Sequence, residues 1–205
     1  MDMKGRIKKA GTKWYQTIEM DGVMTRKPGG SDVEVWNAVR ETIFPPRLDG
    51  MKVLDLGCNA GHFSCLAAVL GAKVVGIDLP MDKLKRQTKL VKEHFEEKHG
   101  SKLDIKYIWS DIINVDFDAL GYFDYVLAFA ILYHIGRQFG NYTPKCLETQ
   151  KQTIAKIQTD KFIVRTRQGK FNSVKYYDDL FKELGFTRTK AARDIERRDL
   201  VLYER

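Results

Sequence analysis

The segment VLDLGCNAGHFS, residues 53–64, constrains the fold of this chain more than any other part of the sequence. It predicts a buried strand, a turn with Gly57 and Gly61, and the start of an apolar helix. A second apolar strand over residues 73–77 ends in Asp78, about 20 residues beyond the turn, the offset at which a carboxylate binds ribose hydroxyls in a Rossmann-like crevice. The segment therefore predicts an α/β fold whose turn and helix N-terminus direct backbone N–H groups at a ligand.

The turn departs from the fingerprint of nicotinamide enzymes. The second glycine of G-x-G-x-x-G falls at Asn59, so the backbone lacks the close approach that a pyrophosphate needs. The pattern Asp55-x-Gly57-x-x-x-Gly61 instead resembles motif I of class I S-adenosylmethionine-dependent methyltransferases, whose donor carries a methionine tail and no phosphate. A dinucleotide enzyme with a divergent loop is the alternative, and a structural turn without a ligand is a third interpretation.

Composition is typical of a soluble, single-domain protein. The chain has 205 residues, of which 43% are hydrophobic and 30% charged. No apolar run reaches membrane-spanning length, and the charged N-terminus lacks the apolar core of a signal peptide. Cys58, Cys65 and Cys146 form no close pair, so we expect free thiols and a cytoplasmic location.

The net charge of +8 favours a polyanionic partner such as RNA without establishing one. The 27 acidic residues are interspersed among the 35 basic ones, so a solvated surface accounts for the charge as well. The sequence therefore leaves open whether the charge serves binding.

From Met51 onward, strands and helices alternate, which predicts a mostly parallel sheet with helices on both faces. A short link through Glu196-Arg197 joins the last two strands as an antiparallel hairpin. The resemblance implies a Rossmann-like sheet of seven strands in the order 3-2-1-4-5-7-6. It covers residues 50–205 as the methyltransferase domain and leaves residues 1–49 as an N-terminal cap or lid segment with a helix. The expected strands are 52–56, 73–77, 104–109, 123–129, 161–165, 186–194 and 199–203.

The resemblance implies a donor site along the carboxyl edge of this sheet. In the family, the acid matching Asp55 organises the glycine turn, Asp78 binds ribose and Asp111 lies near the adenine amine. A small residue at the end of the fourth strand, here Ala128, flanks the sulfonium. The expected site for S-adenosylmethionine comprises Asp55, Gly57, Cys58, Asn59, Gly61, Asp78, Leu79, Asp111, Ile112 and Ala128. The residues alone leave alternatives open, since Asp111 also suits a helix cap and Cys58 suits packing.

Tyr133 and His134 directly follow the fourth strand and are the candidate catalytic residues. His134 can act as a base or orient a nucleophile, and a packed histidine at a helix start is the structural alternative. Neither an Asn/Asp-Pro-Pro-Tyr box nor a Pro-Cys nucleophile is present. The four histidines lack metal-ligand spacing, so we expect no metal site.

The segments WYQTIE and ILYH, with motif I, resemble a methyltransferase group that includes the tRNA wobble-uridine carboxymethyl-transferring enzymes. We expect transfer of a methyl group to an oxygen or nitrogen atom, and the basic charge together with this resemblance favours RNA, in particular tRNA, as the acceptor. The resemblance also leaves carboxy-S-adenosylmethionine open as the donor, with Lys13 and Arg26 as candidate partners of its extra carboxylate. Trp14, Tyr15 and Arg26 are the expected substrate contacts, beside a Pro28-Gly29-Gly30 hinge. A small-molecule acceptor is the alternative, and a non-catalytic binding module is the third possibility. The sequence leaves the oligomeric state open.

Overall fold

The computed structural model describes residues 1–26, 32–166, 173–193 and 199–205. The predicted hinge at residues 28–30 and the hairpin link at residues 196–197 lie outside these ranges. Within them, no helix combines the length and the apolarity that crossing a bilayer requires.

Seven strands form one sheet, and they span β3 Lys52–Leu56, β4 Lys73–Asp78, β5 Ile105–Trp109, β6 Tyr125–Phe129, β7 Lys161–Arg165, β8 Thr187–Arg193 and β9 Asp199–Glu204. Their order is β5-β4-β3-β6-β7-β9-β8, which confirms the order expected from the resemblance. All neighbours from β5 to β7 pair in parallel, whereas β9 is antiparallel to both β7 and β8. Two short strands, β1 Glu19–Met20 and β2 Val23–Met24, pair separately.

Helices cover both faces of the sheet, as predicted. Successive residues of a strand point to opposite faces, so Val53 joins one apolar core and Leu54 joins the other. The helices are α1 Met3–Ala10, α2 Asp32–Thr42, α3 His62–Val69, α4 Asp82–His99, α5 Phe117–Leu120, α6 Pro144–Ala155 and α7 Val174–Glu183. Helices α1 to α4 pack on the first core, and α5 to α7 pack on the second.

The N-terminal segment contains more regular structure than the sequence pattern indicated. Asp2 caps the N-terminus of helix α1, because its side chain accepts from the Gly5 N–H, and the helix packs on α4 through ion pairs of Arg6. Ile18 and Met20 are fully buried in the first core. Most of this segment is therefore part of the packed structure, and its interpretation as a lid stays a prediction.

The carboxyl ends of β3, β4, β5 and β6 meet at one edge of the sheet, because these strands run in parallel. In open α/β sheets this edge is where ligands bind. It is also where the motif I turn, the acids after β4 and β5, and the Tyr133-His134 pair lie.

Candidate active site

A cavity of about 930 Å³ opens at this edge, within the usual range for small-molecule and cofactor sites. It runs from the acids that follow β4 and β5 to the loop between β6 and α6. Its lining residues are Tyr15, Gly57, Asn59, Asp78, Leu79, Ser110, Asp111, Ile112, Phe129, Ala130, Ile131, Tyr133, His134, Ile135, Arg137, Gln138 and Tyr142.

The motif I turn has the backbone conformation that its sequence predicts. Gly57, Asn59 and Gly61 all have positive φ, at 68°, 51° and 78°. The asparagine tolerates this region better than most side chains do, and glycine has no Cβ to clash there.

The backbone N–H groups of this turn bond within the protein rather than facing a ligand. The N–H groups of Gly57 and Cys58 donate to the main-chain oxygen of Ile77, and that of Gly61 donates to the main-chain oxygen of Cys58. Three further N–H groups donate to side chains: Asn59 to Asp78, Ala60 to Asn59, and His62 to Gln16. This corrects the expectation that the turn presents its N–H groups to a ligand. A phosphate needs such free donors, so the geometry fits a phosphate-free donor and disfavours the dinucleotide alternative.

Asp78 lies at the end of β4 with its carboxylate at the cavity. One oxygen accepts from the Asn59 N–H and the other from the Leu79 N–H, each at 2.7 Å. Burial raises the pKa of Asp78, and these two hydrogen bonds act in the opposite direction. A carboxylate has about four lone-pair sites, so Asp78 retains the capacity to accept from two hydroxyl groups.

Asp55 lies beneath the turn and does not line the cavity. It is 2% exposed and accepts a hydrogen bond from the Ser64 hydroxyl on α3. Burial raises its pKa to about 7, while the Ser64 hydrogen bond acts against this shift. Its position suits the organising role that the resemblance implies, but direct contact with a donor in this cavity is not supported by the geometry.

Gly61 and Cys58 also lie behind the cavity wall. A Cβ at Gly61 would meet the hydroxyl of Tyr107, with the ring Cζ at 3.0 Å. Cys58 is buried, and burial raises the pKa of its thiol well above the usual value, which makes it packing rather than a nucleophile. By contrast, Gly57 lines the cavity, and a Cβ there would lie 2.6 Å from Ile131.

Asp111 and Ile112 line the cavity beside Ser110, whereas Ala128 does not. Asp111 also caps a short 3₁₀ turn by accepting from the Ile113 N–H at 3.3 Å, so the helix-cap interpretation holds alongside its place in the site. Ala128 is 1% exposed and belongs to the second core, because residues of a strand alternate between faces. The wall is formed instead by Phe129, the last residue of β6, and by Ala130 and Ile131, which follow it.

Tyr133 and His134 lie on a 3₁₀ turn, Leu132–His134, with their ring centroids 4.1 Å apart. Arg137, which sequence reasoning missed, places a guanidinium nitrogen 2.9 Å from His134 Nδ1. Because a guanidinium donates but never accepts, Nδ1 must be the unprotonated nitrogen of a neutral ring, and Nε2 carries the proton. In this state His134 is a hydrogen-bond donor suited to orienting a substrate, not a base.

The expected substrate contacts of the N-terminal segment separate into different environments. Tyr15 is 56% exposed and lines the cavity. Trp14 is buried, and its indole N–H donates to the Gly11 oxygen at 2.7 Å. Arg26 donates to the Tyr15 main-chain oxygen at 2.7 Å, and neither it nor Lys13 is among the cavity-lining residues.

Several lining residues, notably Arg137, Gln138 and Tyr142, had no sequence signal apart from their place after a strand end. They lie on the loop between β6 and α6, which has no periodicity to interpret. Ala130 has a positive φ of 58°, which nothing in its residue type predicts.

Comparisons with known proteins identify the domain. A family described as "Methyltransferase domain" matches residues 47–159, more than half of the chain. Ubiquinone biosynthesis O-methyltransferases from Leptothrix cholodnii and Methylocella silvestris are 30% identical over 99 residues and 34% identical over 96 residues. These matches cover 48% and 47% of this chain but 39% and 34% of the relatives, so the chain matches less than two fifths of their length.

Solved structures agree on the fold. Magnesium protoporphyrin IX methyltransferase from Synechocystis PCC 6803 with bound SAM has a TM-score of 0.59 at 18% identity, covering 85% of this chain and 77% of that one. The N-terminal domain of EvdMO1, with SAH and D-fucose, has a TM-score of 0.60 at 15% identity, covering 100% and 97%. These comparisons do not show that the chain belongs to the tRNA wobble-uridine group of methyltransferases. The chain belongs to the methyltransferase-domain family and carries a class I S-adenosylmethionine-dependent methyltransferase domain.

Proposed function

We propose that this domain transfers a methyl group from S-adenosylmethionine to a hydroxyl oxygen of a small organic molecule. The observation that carries the proposal is one continuous cavity with the Asp78 carboxylate on one side and the His134-Arg137 pair on the other. A donor and an acceptor can therefore occupy the same cavity.

The residues at the β4 and β5 end fit the donor. The remaining lone pairs of Asp78 would accept from ribose hydroxyls, and the Asp111-Ile112 turn would contact the adenine. Leu79 supplies apolar surface beside Asp78. When bound, S-adenosylmethionine supplies an activated methyl group: an acceptor oxygen forms the C–O bond as the C–S bond breaks, S-adenosylhomocysteine is left, and the hydroxyl proton passes to solvent.

The residues after β6 suit the acceptor. Phe129 and Ile131 form an apolar wall that excludes water, and Gly57 allows Ile131 to approach the turn closely. The proton on His134 Nε2 would donate to the acceptor and orient it, a role that relies on position more than on proton abstraction. Tyr133 packs against His134 and lines the same end of the cavity.

A small-molecule acceptor is better supported than RNA. The relatives and neighbours named above include enzymes of ubiquinone and porphyrin methylation, whose acceptors are organic molecules. The case for RNA rests on the charge of +8 and on the resemblance of the ILYH segment. Cys58, Cys65 and Cys146 are buried and free, which supports action in the reducing cytoplasm.

The proposal is tested in two steps on the full chain. Calorimetry with S-adenosylhomocysteine should show binding, and labelled methyl transfer is then measured on a panel of phenols and hydroxy acids, with bulk tRNA as the comparison. Transfer to a small molecule with little salt dependence supports the proposal. Transfer to tRNA with a steep salt dependence would contradict the proposal and identify RNA as the acceptor. Binding without transfer to any acceptor would indicate a non-catalytic module.

A further inference from the structure

Arg137 is a half-buried cation on the cavity wall whose hydrogen bonds go to uncharged groups. Its Nε donates to the Asn141 side-chain oxygen at 2.8 Å, and one terminal nitrogen donates to His134 Nδ1 at 2.9 Å. In the part of the chain that the structure describes, no carboxylate forms an ion pair with it. Arg6 and Arg47, in contrast, each pair with acids at the surface.

The charges that line the cavity are separated along its length. Its acids are Asp78, the last residue of β4, and Asp111, two residues after β5, whereas Arg137 lies beyond β6, and β3 stands between β4 and β6 in the sheet. No ion pair among the described residues joins Arg137 to either acid. A partly desolvated cation is costly unless it is paired, so this geometry favours an anion supplied by a ligand.

The Arg137 guanidinium has more hydrogen-bond donors than its contacts within the protein use. A guanidinium has five N–H donors, of which the two contacts above use two. Because His134 Nδ1 accepts from Arg137, the ring proton of His134 is on Nε2.

We propose that Arg137 determines acceptor specificity by binding a carboxylate, so that the acceptor is an organic acid that also bears the hydroxyl to be methylated. This inference rests on the proposed function. The planar fork of the guanidinium matches a carboxylate, and charge-assisted hydrogen bonds of this kind are roughly twice as strong as neutral ones. Anchoring the carboxylate beyond β6 leaves the rest of the acceptor to extend along the Phe129–Ile131 wall toward the donor.

Two probes of matched shape and different charge test the proposal. The protein is saturated with S-adenosylhomocysteine, and the affinities of benzoate and benzamide are measured by NMR titration. We expect the wild type to bind benzoate about tenfold more tightly than benzamide. Arg137→Met should reduce this ratio to near one, and Arg137→Gln, which retains a donor without the charge, should do the same. Arg47→Met removes an equal charge from an exposed pair outside the cavity and should preserve the ratio.

The outcomes separate failure of this inference from failure of the proposed function. No benzoate preference in the wild type, or a preference that survives in both Arg137 variants, overturns the inference. About tenfold weaker S-adenosylhomocysteine binding in Arg137→Met would assign the guanidinium to the donor's own carboxylate. If the wild type bound carboxy-S-adenosylmethionine more tightly than S-adenosylmethionine, and Arg137→Met lost this preference, the guanidinium would be assigned to a carboxylated donor. Either result overturns the assignment of Arg137 to the acceptor. A wild type that binds no S-adenosylhomocysteine refutes the proposed function itself.

Discussion

The side-chain amide of Gln150, buried on α6, donates a hydrogen bond to the main-chain oxygen of Leu132. Leu132 begins the turn that carries Tyr133 and His134, and the Gln150 oxygen in turn accepts from the Tyr176 hydroxyl on α7. One amide thus connects the candidate acceptor residues to two helices of the second core. This makes Gln150 a positioning residue, since it does not line the cavity itself.

We expect Gln150→Leu to lower kcat/KM for the acceptor by about tenfold or more, because a displaced turn misplaces His134. The affinity for S-adenosylhomocysteine, measured by calorimetry, should change less than twofold. Gln152→Leu is the matched control, since Gln152 lies on the same helix and bonds with Glu148 at the surface. Equal losses in donor affinity and in acceptor turnover would indicate general destabilisation instead.

The sheet and the donor edge could be predicted because their signals are periodic and local. The parallel strands β3, β4, β6 and β7 are short apolar runs bounded by turn residues. Asp78 ends β4 and Asp111 lies two residues after β5, so topology alone brings the two acids to one edge. Helix α1 was missed because it is short and polar, with Met3, Ile7 and Ala10 as its buried positions. These three positions can be recognised as an apolar face only once the helix is seen packed against α4.

The acceptor side could not be predicted in the same way. Arg137 and Tyr142 lie on an irregular loop, where neither period nor motif indicates the direction of a side chain. Ala128 was expected at the site and Phe129 was not, although the two are adjacent, because the sequence does not specify which face of β6 is aligned with the cavity. The turn's internal hydrogen bonds depend on Asp78 and Gln16, which are distant in sequence.

The carboxylate of Asp78 gives a test of the donor site. Asp78→Ala removes a charge-assisted hydrogen bond to ribose, so we expect S-adenosylhomocysteine to bind about ten- to a hundredfold more weakly by calorimetry. The variant should also lose some thermal stability, because the Asn59 and Leu79 N–H groups lose their acceptor. Asp82→Ala, at the exposed start of α4, is the control. Unchanged affinity in Asp78→Ala would refute the ribose assignment.

Tyr107, rather than a ligand, sets the requirement for glycine at position 61. Gly61 has a φ of 78°, and a Cβ there would collide with the Tyr107 hydroxyl. We expect Gly61→Ala to reduce the free energy of unfolding by about 2 kcal/mol or more, from backbone strain and crowding together. Gly100→Ala, with a φ of 65° and no atom within 4 Å of the added Cβ, measures the backbone cost alone.

A second substitution separates the part of this loss in unfolding free energy that comes from crowding between the added Cβ and the Tyr107 hydroxyl. Tyr107→Phe removes the hydroxyl, whose contact in the described residues is the Cys65 sulfur at 3.9 Å. Combined with Gly61→Ala, it should recover part of the difference between the Gly61 and Gly100 variants, as measured by urea unfolding. A double variant no more stable than Gly61→Ala would show that the hydroxyl is not what excludes the side chain.

His62 predicts a loss of stability in acid. It is 5% exposed, and its two ring nitrogens have no hydrogen-bond partner among the described residues. Burial lowers its pKa to about 4, below the value of about 6.5 expected in the unfolded chain. As the pH falls from 6.5 toward 4, the unfolded chain binds a proton that the native state does not, so stability is lost in this window, by about 2 to 3 kcal/mol for this group.

Between pH 7.5 and 4.5, the free energy of unfolding of His62→Leu should therefore fall by about 2 to 3 kcal/mol less than that of the wild type. Urea unfolding at the two pH values measures this difference. At pH 7.5 the variant should be at least as stable as the wild type, because it buries no unpaired nitrogen. His99→Leu, at an exposed position, controls for loss of a titrating ring. An acid loss identical in both proteins would show that His62 is hydrated or paired.

Trp14 and Tyr15 are adjacent in sequence but differ in environment. Substitutions at the two positions can therefore distinguish whether the N-terminal segment is only a structural strap or also a lid that contacts substrate. Trp14 is 8% exposed within the first core, whereas Tyr15 is 56% exposed and lines the cavity. If the segment served only as packing, the two positions would differ in stability alone. If it also contacts substrate, Tyr15 should carry a kinetic effect that Trp14 does not.

We expect Trp14→Ala to lose about 3 kcal/mol or more of stability, because it empties a buried site, and to retain its specific activity at low temperature. Tyr15→Ala should stay within about 0.5 kcal/mol of the wild type in urea unfolding, since its side chain is largely exposed. Its acceptor KM should nevertheless rise severalfold, because an aromatic contact at the cavity mouth is lost. Acceptor kinetics in Tyr15→Ala that match the wild type would establish the N-terminal segment as a structural strap without a role in substrate binding.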